Sequence, residues 1–180
     1  MTPLVDTHCH LVLLEERGLL RMGLEEAAAA GVEQVVSIGL DVEDSDRNRR
    51  IAESVPGVFF TVGWHPHQPA SPDAALAEQA GSLGMVCSFA GTITFPRAEP
   101  IRAAARHVAD DGYVVETDAP FLAPVPHRGR PNLPGYVAAT AAAVAELRGQ
   151  PVEAVAARTT ATARRLFRFP GAAADRLPGG

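Results

Sequence analysis

Leu4-Val5-Asp6-Thr7-His8-Cys9-His10 is an apolar run that turns polar at every second position, and Tyr113-Val114-Val115-Glu116-Thr117-Asp118, far along the chain, does the same. Side chains two apart on a strand share a face, so Asp6, His8 and His10 can converge at the end of the first run, and Glu116 and Asp118 at the end of the second. Between them, β-rich runs at 32–40, 58–63 and 85–89 alternate with helical stretches at 15–31, 44–55, 71–81 and 97–109. The first strand covers 4–8, the last 113–117, and two closing helices 136–147 and 152–166. That alternation predicts strand–helix units around a parallel sheet. In a closed parallel barrel the first and last strands are neighbours, which brings His8, His10 and Asp118 together at the carboxyl rim, where such folds keep their sites.

The chain is 180 residues long, 47% apolar and 21% charged, the composition of a soluble globular core. Residues 1–169 are expected to form one domain and 170–180, rich in Pro, Gly and Ala, a flexible tail. A full eight-unit barrel takes about 250 residues, or about 31 per unit, so this length holds five or six units. The formal charge is −5, and all 16 basic residues are arginine, which argues against non-specific coating of nucleic acid and for local recognition of a partner. There is no apolar run of about 18 residues and no basic leader, so a cytoplasmic protein with no membrane span is expected. Cys9 and Cys87 each lie in an apolar strand-like run, and two buried free thiols are expected rather than a disulfide.

Two imidazoles and a carboxylate suit a divalent ion such as zinc, manganese or magnesium. At the end of the third strand, Gly63-Trp64-His65-Pro66-His67 fixes a turn that holds His65 at the same rim, as a substrate or phosphate contact, with His67 the weaker candidate. In Pro126-His127-Arg128-Gly129-Arg130-Pro131-Asn132, the side chains of His127, Arg128 and Arg130 surround a glycine, and guanidinium forks match phosphate oxygens. His107 reads as a helix-surface residue. Cys9 points away from its two flanking histidines, towards the core. No glycine-rich nucleotide loop, Cys-x-x-Cys pair or G-x-S-x-G elbow occurs, which counts against kinase, zinc-ribbon and serine-hydrolase readings.

These motifs resemble the TatD family of metal-dependent deoxyribonucleases, among the amidohydrolase-like barrels. The resemblance runs through residues 5–11, Val62-Gly63-Trp64-His65-Pro66-His67, Ser88-Phe89-Ala90-Gly91-Thr92-Ile93-Thr94-Phe95 and, most specifically, the long stretch from Glu116 to Asn132. It implies a TIM barrel whose two divalent ions hydrolyse phosphodiester bonds in DNA. It also implies His8, His10 and Asp118 as ligands of one ion, Asp118 as a proton acceptor, and His65 with the Arg128 loop as substrate contacts. The family's G-E-x-G-L-D, H-x-R and H-C-F-S-G segments, on its fourth to sixth strands, have no counterpart here. About 80 residues are missing where the helix at 71–80 runs into 84–89, close to the shortfall from a full barrel. The expectation is therefore an α/β, TIM-barrel-type parallel fold with about five βα units, strands 4 to 6 absent. One metal rather than two, weakened hydrolysis of DNA and self-association through open sheet edges would follow. The alternatives are an inactive remnant that binds one metal or a partner chain, and a hydrolase of another substrate, such as a cyclic amide, on the same barrel.

Overall fold

A computed structural model describes residues 2–40, 42–61, 86–169 and 177. The elements are β1 (Leu4–Cys9), α1 (Leu11–Glu16), α2 (Leu20–Ala29), β2 (Val32–Ser37), α3 (Val42–Ser54), β3 (Val58–Phe60), β4 (Cys87–Phe89), α4 (Glu99–His107), β5 (Tyr113–Val115), α5 (Val137–Arg148) and α6 (Val152–Phe167). Every pairing is parallel. β1 pairs β2, β2 pairs β3 with Val35 opposite Val58, and β4 pairs β5 with Phe89 opposite Val115.

The two sheets join where the sequence predicts first and last strands to meet. Cys9 bridges Ala119, the Asp118 N–H donates to His8 O at 2.9 Å, and Thr7 Oγ1 donates to Val115 O at 3.0 Å. The described strands therefore run in spatial order 3-2-1-5-4. Among the described residues β3 and β4 do not pair with each other. The helix expected at 71–81, the end of the third strand beyond residue 61 and residue 85 of the fourth lie outside the described residues.

The strand pleat sorts the core. Tyr113 and Val115 face the helices, joining Leu11, Ile51, Ala104, Val137 and Val144 in the main cluster. Val114 belongs to a second cluster, with Val5 and Ala163 of α6, and Phe169 and Val86 are partly buried beside them. Phe169 also lies 4.4 Å from the Phe59 ring, centroid to centroid. Leu177 is buried and its N–H donates to Glu33 O of β2 at 2.7 Å; the rest of 170–180 lies outside the described residues. Phe169→Ala should cost about 2 kcal/mol, less than a fully buried Phe→Ala because the ring is only partly covered, read as a lower denaturant midpoint.

Two expectations change in detail. The helix expected at 15–31 is two: α1 starts directly after His10, burying Leu11, Val12 and Leu14, and the chain breaks at Gly18, whose φ of +69° no ordinary helix residue adopts. Cys9 is buried as expected, but Cys87 is only half-buried, because β4 has a neighbour on one side only among the described residues; both are free thiols. Gly135 is needed by packing, since a Cβ there would lie 2.7 Å from Glu26 O on α2. No helix among the described residues is long and apolar enough to cross a membrane.

Candidate metal centre

β1 ends in His8 and His10, and the turn after β5 places Asp118 opposite them. One ligand atom from each lies within 4.8 Å of the others. His8 Nε2 is 3.5 Å and His10 Nε2 3.3 Å from the same oxygen, Asp118 Oδ1. His10 is buried, while His8 and Asp118 are half-buried, so the cluster is closed behind and open in front. Asp118 holds a left-handed backbone, φ +61°, which Asp tolerates better than most residues. Its N–H is fixed on His8 O, and its own carbonyl accepts from the Phe121 N–H at 2.8 Å.

A buried polar frame supports this turn. Asp6, with no exposed surface, accepts from the Thr117 N–H at 3.0 Å, from Thr117 Oγ1 at 2.6 Å and from the His8 N–H at 3.4 Å. Thr117 Oγ1 in turn accepts from the Ala119 N–H at 3.1 Å, so both residues flanking Asp118 are tied to β1. Burial pushes the Asp6 carboxyl well above the usual carboxylate range, against the lowering effect of these hydrogen bonds. From the far side, the Asn132 side chain donates to Thr117 O at 2.7 Å and to Phe121 O at 2.6 Å. Glu116 faces His8, with Oε2 3.5 Å from Nδ1, and accepts from Ser88 Oγ on β4 at 2.7 Å. Burial, and then the nearby Asp118 charge, push Glu116 up to about 7 against the opposing Ser88 hydrogen bond and His10. A carboxylate on the second ring nitrogen of a histidine orients the first towards a metal.

A family profile described as TatD related DNase matches residues 5–75 and 69–168 of this sequence. The chain belongs to the TatD family. It is 47% identical over 95 residues to the uncharacterized metal-dependent hydrolase YcfH of Escherichia coli, covering 53% of this chain and 36% of that protein. With the uncharacterized metal-dependent hydrolase YabD of Bacillus subtilis it shares 38% identity over 118 residues, covering 66% and 43%. The chain thus spans about two fifths of the length of the curated relatives it matches. It superposes on the crystal structure of YJJV, a TatD homologue of Escherichia coli, with a TM-score of 0.83 and 20% identity, over 93% of this chain and 98% of that one. The parallel α/β fold is therefore that of the TatD barrels.

Within this TatD-type frame the sequence-read residues separate. His8, His10 and Asp118 come together; Asp6 does not join them, because the Thr117 backbone and hydroxyl hold its carboxylate. His127 stacks flat on the Tyr136 ring, 3.7 Å between centroids. Arg128, an exposed residue, lies over the Phe95 ring at 4.0 Å and donates to Ala123 O at 3.3 Å. Arg130 is exposed, and His65 and His67 lie outside the described residues. Sequence reading grouped Glu116 with Asp118 on one face but gave it no task, and it missed Ser88, whose role only the β4–β5 register reveals. The donor set fits a divalent ion: two imidazoles and one carboxylate, backed by a second carboxylate and open on one side, is the make-up of a catalytic rather than a structural site.

Proposed function

We propose that this chain is a TatD-type metal-dependent hydrolase of phosphodiester bonds in DNA, internally shortened and holding one divalent ion at His8, His10 and Asp118. The convergence of those three side chains at the carboxyl ends of β1 and β5 carries the reading. The shortening is supported by the absence of the three family segments, by the profile match in two segments and by the unpaired β3 and β4 among the described residues. β3 and β4 each have a neighbour on one side only among the described residues, and strand edges left open there would favour self-association. The free thiols Cys9 and Cys87 suit the cytoplasm.

A divalent ion bound here supplies charge neutralisation at phosphate oxygens and promotes loss of a proton from water. The chain's residues do the rest. Glu116 fixes the His8 ring, Asp6 and Asn132 hold the Asp118 turn, and the half-buried Asp118 carboxylate is the proton acceptor. The exposed Arg128 and Arg130 bind the substrate's anionic oxygens, with His127 beside them and His65 as a further contact. One ion lacks the paired clamp on attacking and leaving oxygens, so turnover is weak.

The test is hydrolysis of a single-stranded oligonucleotide by chelator-stripped protein with manganese or magnesium restored, in wild type and in Asp118→Asn. Slow metal-dependent turnover, absent in the variant, is expected; robust turnover in both refutes the reading. No turnover in either supports the inactive remnant, a reading the missing second-site segments favour. Arg128→Ala should raise KM more than it lowers kcat, by about 1–3 kcal/mol of binding for a charge-assisted hydrogen bond. It should also reduce the slope of log affinity against log salt by about 1.

A further inference from the structure

An aromatic side chain stands beside the cluster: Phe121 follows Asp118 on the same loop and is 42% exposed. Phe121 is not loosely attached: its N–H donates to Asp118 O and its carbonyl accepts from Asn132, so its backbone is pinned on both sides. Its ring stands edge-on to His10, 6.0 Å between centroids, placing it in the next layer out from the cluster. The Arg17 guanidinium, from the end of α1, lies 5.7 Å from the same ring centroid. Arg17 is exposed and makes no ion pair among the described residues. An exposed, backbone-fixed aromatic ring with an unneutralised guanidinium beside it is the combination with which proteins hold single-stranded nucleic acid: the ring stacks on a base and the cation meets the adjoining phosphate.

We infer that Phe121 is the stacking platform for the unpaired base next to the phosphate at His8, His10 and Asp118, and that Arg17 contacts the neighbouring phosphate of the same strand. The inference rests on the phosphodiester reading above and adds what that reading lacks, a residue that senses the base. A duplex keeps its bases stacked on one another and so cannot use the platform without opening. Arg128, stacked on Phe95, lies with a different aromatic ring.

Binding, rather than turnover, tests this. Fluorescence anisotropy of a labelled thymidine strand of about eight nucleotides is compared with an abasic strand of equal length and charge. Wild type should bind the thymidine strand roughly tenfold tighter, the worth of one stacked base. Phe121→Ala should remove that ratio, Phe121→Trp should keep it, and Arg17→Ala should weaken both strands alike with a shallower salt slope. Equal binding of the two strands by wild type, no binding of either, or a ratio unchanged in Phe121→Ala overturns the inference. A ratio that survives in wild type while no strand is cleaved would remove the hydrolase reading and leave the platform standing. Because Phe121 is exposed, its variants should unfold at the wild-type temperature.

Discussion

Asp118→Asn should leave the protein folded and lower its metal-dependent hydrolysis by about 100- to 1,000-fold, the usual effect of removing one preorganised charge contact. Asparagine matches aspartate in size and tolerates the left-handed backbone at φ +61°, so the hydrogen bonds of this residue's N–H and carbonyl to His8 and Phe121 are kept. What disappears is the negative oxygen that both His8 Nε2 and His10 Nε2 approach within 3.5 Å. Unchanged far-UV circular dichroism and unfolding temperature, together with lost turnover, is the expected pair of results. A variant that unfolds early would move Asp118 from chemistry to architecture.

The largest effect on stability should come from Asp6→Ala. The exchange strands the Thr117 N–H and hydroxyl in a site with no water access, at about 1–3 kcal/mol for each buried group left without a partner. A loss of about 3 kcal/mol is expected, and for a chain of this size that lowers the melting temperature by about 10 °C. Arg21→Ala is the matching control. It breaks an i,i+4 pair with Glu25 in which the arginine side chain is 90% exposed, and the unfolding temperature should barely move. Because Asp6 also anchors the turn bearing Asp118, its loss should weaken metal uptake even at temperatures where the variant is folded.

The part of this centre that was legible in the sequence is the part that depends only on periodicity and on strand order. His8 and His10 share a strand face, and closing a parallel barrel brings the end of the last strand beside the first, so Asp118 follows. Asp6 obeys the same alternation yet serves as a brace. The β1–β2 register shifts between Asp6 and Cys9, and the nearest donors come from Thr117 on another strand, which spacing along β1 cannot reveal. Arg128 illustrates the same limit. Its composition suits an anion, but Phe95, well separated in sequence, takes one face of its guanidinium. Glu116 needed Ser88, and the platform needed Arg17, both from elements whose approach is decided by packing. The break at Gly18 escaped because Leu19 and Leu20 continue the apolar pattern across it.

His8, His10 and Asp118 are proposed to hold a single divalent ion. Calorimetric titration of chelator-stripped protein with manganese and with zinc tests this most directly, using His8→Ala as the partner variant because His8 is half-buried and tolerates truncation better than the buried His10. About one ion per chain in wild type, with uptake abolished in His8→Ala, is the result predicted. Two tight ions per chain in wild type, or uptake unaltered by His8→Ala, would contradict it.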